Sequence, residues 1–175
     1  VLETSLLPRL ISYDQTLKKF RPNYIAVLMA DADTGRVLFA EQEHRKVYPA
    51  SLVKLMSVLL TFEAIEAGKT NFDEIVVTST KASKIGGTQV FLKEGEEFTV
   101  RELLKAMIVR SANDATLAMA EHVSGIEDSF VRLMNQRAKV LGMAHTEFHS
   151  PHGLPPSRGE KHNVSTAYDL FLLAK

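Results

Sequence analysis

The spacing of apolar and polar residues predicts strands near the beginning of this chain and helices over most of the remainder. Residues 6–20 carry apolar side chains three and four positions apart, with charged residues between them, which is typical of a helix. Two β-prone runs follow at 23–30 and 36–40, and Gly35 suits the tight turn that would join them. We therefore predict an N-terminal helical segment at residues 1–22, followed by a β-hairpin.

Few strands are predicted beyond this hairpin. The run at 23–30 is apolar almost throughout, so we expect this strand to be buried on both faces. Short strands are predicted at 74–78 and 98–100, on either side of a loop that contains glycines. Because the sheet has few strands, it should have a long exposed edge. We therefore expect the 175-residue chain to associate with itself or to exchange segments.

The remaining patterns are helical. The most apolar of them, residues 51–67, predicts a central helix that ends at Gly68. A loop rich in proline and glycine is predicted at 149–162. A small antiparallel sheet combined with a largely helical body makes the predicted fold class α/β, of the α+β type. The other predicted helices cover residues 101–109, 114–123, 127–141 and 166–174.

Composition and charge narrow the classes of function. The 21 basic residues equal the 21 acidic residues, so the chain lacks the positive charge that binding to many phosphates requires, and nucleic acid is not expected as a partner. The absence of cysteine excludes disulfides, zinc sites built from thiolates and cysteine nucleophiles. The longest apolar run, residues 55–62, is shorter than a membrane span and is interrupted by Ser57 and Thr61.

Ser51 and Lys54 are the first candidates for chemistry. Residues three positions apart on a helix lie on one face, so Lys54 can reach the hydroxyl of Ser51. A serine hydroxyl needs an adjacent base to act as a nucleophile, and a lysine amine is such a base when burial lowers its pKa. The alternative is structural: Ser51 caps the helix and Lys54 points to water. Taken alone, the pattern is common enough to favour the cap.

A second candidate, Ser111-Ala112-Asn113, lies between two predicted helices. Serine and asparagine are frequent at helix starts, where their side chains accept hydrogen bonds from orphan backbone N–H groups, so a cap explains this triplet too. The two motifs together are more informative than either alone, because they occur in order and each lies at a helix boundary.

Histidines and paired glycines offer weaker candidates. The spacing of His145, His149 and His152 permits a metal site, but no His-Glu-x-x-His sequence accompanies them, and anchoring of the loop is the preferred interpretation. We therefore expect neither a metal nor another cofactor. Gly86-Gly87 lacks the lysine and hydroxyl of a phosphate-binding loop and is interpreted as a turn bordering the cleft.

Several short stretches occur in an order that carries further information. They lie at residues 32–38, 49–54, 90–95, 111–115, 130–135, 141–143, 152–154 and 165–167. Together, and with Ser-x-x-Lys followed by Ser-x-Asn, they resemble the low-molecular-weight penicillin-binding proteins, the serine D-alanyl-D-alanine carboxypeptidases. The resemblance implies the β-lactamase/transpeptidase-like fold, with residues 23–175 forming part of one penicillin-recognising domain. Phe91 and Leu92 are expected in its core.

The resemblance implies roles for four residues. Ser51 would attack the carbonyl of the penultimate D-alanine, and Lys54 would take the proton of Ser51. Ser111 would relay a proton to the leaving D-alanine. Asn113 would hydrogen-bond the substrate backbone and help to place Lys54. Ser111 and Asn113 are therefore also the expected substrate-binding residues.

One part of the family pattern does not occur in the sequence. This is the third motif, Lys-Thr-Gly, which in the family lies on a strand beside the site. Its lysine binds the substrate carboxylate, and its backbone N–H completes the oxyanion hole. Loss of one oxyanion donor costs about 2.7–4 kcal/mol of transition-state stabilisation. The resemblance therefore implies a partial domain that catalyses poorly by itself.

The implied function is removal of the terminal D-alanine from peptidoglycan stem peptides that end in D-Ala-D-Ala, and β-lactam antibiotics would acylate the same serine. Such substrates lie outside the cytoplasmic membrane, so export to the periplasm or to the outer face of that membrane is expected. The alternatives are a D,D-endopeptidase or a β-lactamase of the same fold, and a catalytically incomplete module that binds the cell wall.

Overall fold

A β-hairpin begins the part of the chain that the structure describes, which is residues 24–175 of a computed structural model. β1 (Val27–Ala30) and β2 (Val37–Glu41) pair antiparallel. Gly35, at φ +71°, donates its N–H to the carbonyl of Asp31 over 2.8 Å. The left-handed conformation costs glycine little, so the sequence of this turn explains the predicted hairpin. The predicted N-terminal helix lies outside the described residues.

The helical body follows the predicted order. A turn of 3-10 helix at Ala50–Val53 leads into the first α-helix, and a second antiparallel pair of strands, β3 (Ile75–Val77) and β4 (Glu97–Thr99), lies within this body. One short helix, at Thr80–Ser83, was not predicted. The helices are α1 (Lys54–Glu66), α2 (Thr80–Ser83), α3 (Val100–Arg110), α4 (Asn113–Ser124), α5 (Glu127–Val140) and α6 (Ala167–Ala174).

Local signals explain several of the helix ends. The hydroxyl of Thr166 accepts a hydrogen bond from the backbone N–H of Asp169 over 3.0 Å and caps α6, a helix predicted to begin at residue 166. At the end of α1, Gly68 at φ +67° reverses the chain, and Lys69 donates its N–H to the carbonyl of Ala64. These caps are contacts between residues close in sequence, which is why the sequence revealed them.

The prediction that the first strand is buried on both faces is wrong. Met29 in β1 is 58% exposed, and Ile25 just before the strand is also 58% exposed. Within residues 24–175 the sheet contains only β1 and β2, and α6 packs against β1. Within residues 24–175, some apolar side chains of β1 are therefore not covered by other parts of the chain.

The core lies between the helices. α1 packs against α3, α4, α5 and α6, which confirms its predicted central position. The first eight residues of α4 are all buried, and several are alanines, which let neighbouring helices approach closely. Two apolar clusters result, one around α3 and α4 and one between α1 and α5. None of the helices described in residues 24–175 combines the length and apolar character needed to cross a bilayer.

Candidate active site

Ser51 and Lys54 lie side by side at the start of α1. Lys54 Nζ is 3.3 Å from Ser51 Oγ, which is hydrogen-bond distance. Ser51 is exposed, whereas Lys54 is only 4% exposed. No side-chain cap bond forms at the start of the 3-10 turn or of α1. The alternative in which Ser51 caps the helix and Lys54 points to water does not describe this structure.

Burial changes the chemistry of the Lys54 amine. It lowers the pKa of Lys54 to about 8, because the charged form loses hydration. A substantial fraction of the amine is therefore neutral near physiological pH, with a lone pair available to accept a proton. An exposed hydroxyl beside a buried amine of lowered pKa is the arrangement that an activated serine nucleophile needs.

The amine is oriented by a distant part of the chain. Lys54 Nζ donates a hydrogen bond to the backbone carbonyl of His152 over 2.8 Å. One turn further along α1, Ser57 Oγ donates to the carbonyl of Pro151 over 2.7 Å. Two side chains on one helix face therefore bind two successive carbonyls. The local sequence pattern of α1 contains no signal for this contact, because its partners lie in another segment.

Two asparagines hold the loop that leads to His152 in place. Asn135 donates from Nδ2 to the carbonyl of Phe148 and accepts its N–H at Oδ1, both over 2.8 Å. Asn163 Oδ1 accepts the N–H groups of His149 and Ser150 over 2.6 and 3.0 Å. Because buried backbone groups need partners, these amides fix the path of the loop before it reaches Lys54.

Gly153 packs directly on the backbone of Ala50 and Ser51. Gly153 has φ +81°, and a Cβ at this position would lie 1.9 Å from the carbonyl oxygen of Ala50 and 3.2 Å from the backbone nitrogen of Ser51. Ala50 itself has φ +48°, which is uncommon for a residue with a side chain. The close approach therefore requires glycine at position 153.

The second motif occupies the junction of α3 and α4. Ser111 ends α3 in the left-handed conformation, at φ 55° and ψ 37°. Asn113 is the first residue of α4, and its Nδ2 donates to the carbonyl of Gly86 over 2.9 Å. Neither side chain forms a cap bond to its helix. Among the hydrogen bonds of residues 24–175, none joins Asn113 to Lys54, so the predicted help in placing Lys54 is not a direct hydrogen bond here.

The segment at residues 152–154 links the two motifs. A Cβ added to Gly87 would lie 2.6 Å from Asn113 Nδ2 and 2.7 Å from Leu154 Cδ2. Leu154 therefore meets the Asn113 side of the site, while His152 and Gly153 contact Lys54 and Ala50. The interpretation of Gly86-Gly87 as a turn beside the cleft agrees with this position.

A buried carboxylate holds residues 90–92, which follow the Gly86-Gly87 turn. Asp114 is 1% exposed and accepts the backbone N–H groups of Val90 and Leu92, with Oδ2 at 3.1 and 3.0 Å. Leu92 is buried as expected, but the core assignment of Phe91 is wrong, because Phe91 is 77% exposed. Its φ of +62°, between two N–H groups that both face Asp114, turns the side chain outward. The sequence predicted Asp114 as the first residue of a helix but did not indicate its contacts with residues 90 and 92.

The histidines in this region have local partners. His152 Nδ1 accepts the N–H of Leu154 over 3.1 Å, and its Nε2 lies 3.5 Å from Glu127 Oε1. His149 Nε2 lies 3.1 Å from a carboxylate oxygen of Glu147. Within the described part of the chain, no group of three or more histidine, cysteine or acidic residues is arranged to hold a metal ion.

A cavity of about 920 Å³ adjoins the segment at 152–154. Its lining includes Gly86, His152 and Leu154 together with Lys81 and Glu127, but neither of the two serines of the motifs. The cavity therefore adjoins the loop whose His152 carbonyl contacts Lys54.

Comparison with known proteins places this geometry among peptidases. Residues 22–175 match the profile of peptidase family S11, described as D-alanyl-D-alanine carboxypeptidase. The chain is 43% identical over 150 residues to the D-alanyl-D-alanine carboxypeptidase DacF of Bacillus subtilis (strain 168), and this match covers 86% of the chain and 38% of DacF. The chain therefore spans less than half the length of this relative.

Solved structures confirm the predicted fold. The D-alanyl-D-alanine carboxypeptidase DacD of Francisella tularensis matches with a TM-score of 0.83 and 35% identity, over 89% of this chain and 37% of that one. Penicillin-binding protein D2 of Listeria monocytogenes, solved in an ampicillin-bound form, matches with a TM-score of 0.75 and 31% identity, over 87% of this chain and 62% of that one. The described residues thus have the β-lactamase/transpeptidase-like fold.

Proposed function

Because the chain belongs to the D-alanyl-D-alanine carboxypeptidase family S11, we propose that its protein is a serine peptidase that removes the terminal D-alanine from peptidoglycan stem peptides through an acyl-Ser51 intermediate. One observation carries this proposal above the others: the buried amine of Lys54 lies 3.3 Å from the exposed hydroxyl of Ser51. Burial of the amine lowers its pKa, as a base for serine requires.

The geometry supports a two-step reaction. Lys54 takes the hydroxyl proton as Ser51 Oγ bonds to the carbonyl carbon of the penultimate D-alanine. The peptide C–N bond then breaks, and the nitrogen of the departing D-alanine receives a proton by way of Ser111. Water hydrolyses the resulting ester and restores Ser51. Asn113 contributes an amide close to the site, and we assign it to the substrate backbone.

β-Lactams are the second class of ligand in this proposal. A relative with the same fold was solved in an ampicillin-bound form, and a β-lactam ring offers Ser51 a strained amide carbonyl in place of the peptide. The adduct forms when the ring C–N bond breaks and Oγ acquires the acyl group. A long-lived adduct favours a penicillin-binding protein, whereas rapid turnover of penicillin would indicate a β-lactamase.

The test of this proposal is covalent labelling. On incubation with ampicillin, the protein should gain the mass of one ampicillin, and the added mass should lie on the peptide that contains Ser51. The Ser51→Ala variant should gain nothing, whereas Ser157→Ala, which removes another exposed serine, should label like the wild type. Labelling that survives in Ser51→Ala would exclude Ser51 as the nucleophile.

Substrate assays separate the peptidase reactions. A D,D-endopeptidase expels the amine of a cross-link, and a carboxypeptidase expels free D-alanine, yet both reactions use the same acyl-enzyme. Turnover of a peptide ending in D-Ala-D-Ala, compared with turnover of a cross-linked dimer, distinguishes them. Binding to peptidoglycan without turnover of either substrate would favour the wall-binding module.

We also propose that the protein acts outside the cytoplasmic membrane. The reason is chemical, since the cross-linked peptidoglycan that such a peptidase trims lies on that side. Cell fractionation followed by detection with a fluorescent penicillin provides the measurement, and signal confined to the cytoplasm would contradict the proposal.

A further inference from the structure

A largely buried carboxylate, that of Glu127, lies behind the loop that orients Lys54. Glu127, the first residue of α5, has a side chain that is 14% exposed. Its Oε2 lies 2.6 Å from Lys81 Nζ on α2, and its Oε1 lies 3.5 Å from His152 Nε2. Three segments that surround the site therefore meet at one carboxylate.

The contacts of the His152 ring determine where its proton lies. Nδ1 accepts the backbone N–H of Leu154 over 3.1 Å, so this nitrogen carries a lone pair. In the neutral ring the proton then resides on Nε2, which faces the carboxylate of Glu127. The ring is held from both sides, with the backbone of its own turn on one side and Glu127 on the other. The side chain of His152 is only 12% exposed, so water offers little competition.

The same residue holds the base. The carbonyl of His152 accepts the hydrogen bond of Lys54 Nζ over 2.8 Å, and Gly153 rests against the carbonyl of Ala50. A rotation of the 152–154 turn would move this carbonyl away from the amine. The carboxylate of Glu127 restrains this turn, because it contacts Nε2 of the His152 ring.

We propose that Glu127 is a positioning residue that acts through His152 to hold the carbonyl against Lys54. This inference rests on the proposed function, because it assigns Lys54 the role of base. Lys81 assists by fixing the second oxygen of the carboxylate. Burial by itself would raise the pKa of Glu127, but the hydrogen bonds from His152 and Lys81 outweigh burial and keep its pKa below the usual value. The carboxylate is therefore charged at neutral pH.

A simpler explanation is that Glu127 only stabilises the start of helix α5. Acidic residues in a first turn interact favourably with the helix dipole, and both Glu127 and Asp128 occupy the first turn of α5. Asp128 is exposed, however, and makes no hydrogen bond or ion pair among those described. Asp128→Asn is consequently a matched control, since it removes the same charge one residue along the same helix.

Three variants test the positioning role. Glu127→Met keeps the volume but cannot accept a hydrogen bond, so its second-order rate of acylation by ampicillin should fall by about tenfold to a hundredfold, as expected for a small displacement of a catalytic group. Glu127→Gln retains an oxygen that can accept the Nε2 proton, so it should recover most of the rate. Asp128→Asn should acylate like the wild type.

Nitrogen-15 NMR of the His152 ring supplies a readout that does not require activity. The wild type should show a protonated Nε2 and an unprotonated Nδ1, and Glu127→Met should shift toward a mixture of tautomers. Lys81→Ala provides a second variant if Glu127→Met does not fold, because the Lys81 side chain is 62% exposed. It should cause a smaller loss of rate in the same direction.

The outcomes separate the two proposals. If the wild type does not acylate at Ser51, the proposed function is overturned. The NMR measurement would then still test the contact between Glu127 and His152, because it does not require activity. Wild-type rates in both Glu127→Met and Lys81→Ala would overturn the positioning role. The same conclusion follows if Asp128→Asn loses as much rate as Glu127→Met, or if the ring signals of His152 do not change.

Discussion

At the scale of the residue, the central feature is a buried amine next to an exposed hydroxyl. The sequence was sufficient to pair Ser51 with Lys54, because their separation places them on one helix face. It was not sufficient to show that Lys54 is buried or that the His152 carbonyl holds it, since this partner is 98 positions away. The charge state of the amine depends on those distant contacts.

The pH dependence of acylation should report the lowered pKa of Lys54. Below about pH 8 the charged form of the amine predominates, and this form cannot take the serine proton, so the acylation rate should rise as pH increases through about 8. Lys54→Ala should lower the rate about 10²–10⁴-fold, as expected for loss of a general base, and should abolish this rise. Stopped-flow acylation across this range measures both effects. A wild-type rate that is independent of pH would contradict Lys54 as the base.

The same pKa makes a prediction for stability. Lys54 binds its proton less tightly in the folded state, where its pKa is about 8, than in an unfolded chain, where it is 10.5. Between these values the unfolded state binds more protons, so the contribution of Lys54 to stability rises with pH and is least below about pH 8. The free energy of unfolding of the wild type, compared with Lys54→Ala across this interval, isolates the contribution.

At the scale of the element, the loop that ends at residues 152–154 completes the site. The asparagines Asn135 and Asn163 fix its path, and Ser57 on α1 donates a hydrogen bond to it. Gly153 permits its closest approach, because a side chain there would overlap the backbone of Ala50.

Gly153→Ala should therefore be far more damaging than an alanine at an ordinary turn glycine. Gly68 is the matched control, because it also has a positive φ but a Cβ at that position would meet no atom within 4 Å. Gly68→Ala should cost about 1–2 kcal/mol of unfolding free energy from conformation alone. Gly153→Ala adds the steric overlap, so it should cost more and should also suppress acylation. Urea denaturation measures the first effect, and equal losses in the two variants would contradict the close contact.

Elements with local signals were predictable, and those that depend on tertiary contacts were not. The hairpin, the order of the long helices and the cap at Thr166 follow from turn residues, periodicity and capping pairs. The outward turn of Phe91 depends on the carboxylate of Asp114 in α4, and the exposure of β1 depends on what covers the sheet. The contact of Glu127 with His152 joins two segments, and neither contains a local pattern that indicates it.

At the scale of the whole molecule, the described sheets are small. Each of the two contains two strands, so every strand has an unpaired edge within residues 24–175. The hairpin also exposes apolar side chains, among them Met29 and Leu38, which are 58% and 53% exposed. The chain as a whole has no net charge that would oppose association.

We therefore expect the 175-residue chain to self-associate in a concentration-dependent manner, because unpaired strand edges and apolar faces favour contacts between copies. Light scattering gives the mass in solution. Leu38→Lys, which places a charge on the exposed face of β2, should reduce association, whereas the same change at exposed Val140 on α5 should not. A monodisperse monomer at high concentration would contradict the prediction.

The long separation between Lys54 and His152 also has a consequence for biosynthesis. A ribosome completes the Ser-x-x-Lys sequence long before it produces the loop that carries the His152 carbonyl. Until that loop docks, the amine stays hydrated and protonated at neutral pH, and the serine beside it is an ordinary alcohol. In the proposed mechanism, Ser51 is consequently activated only when the chain has folded around it.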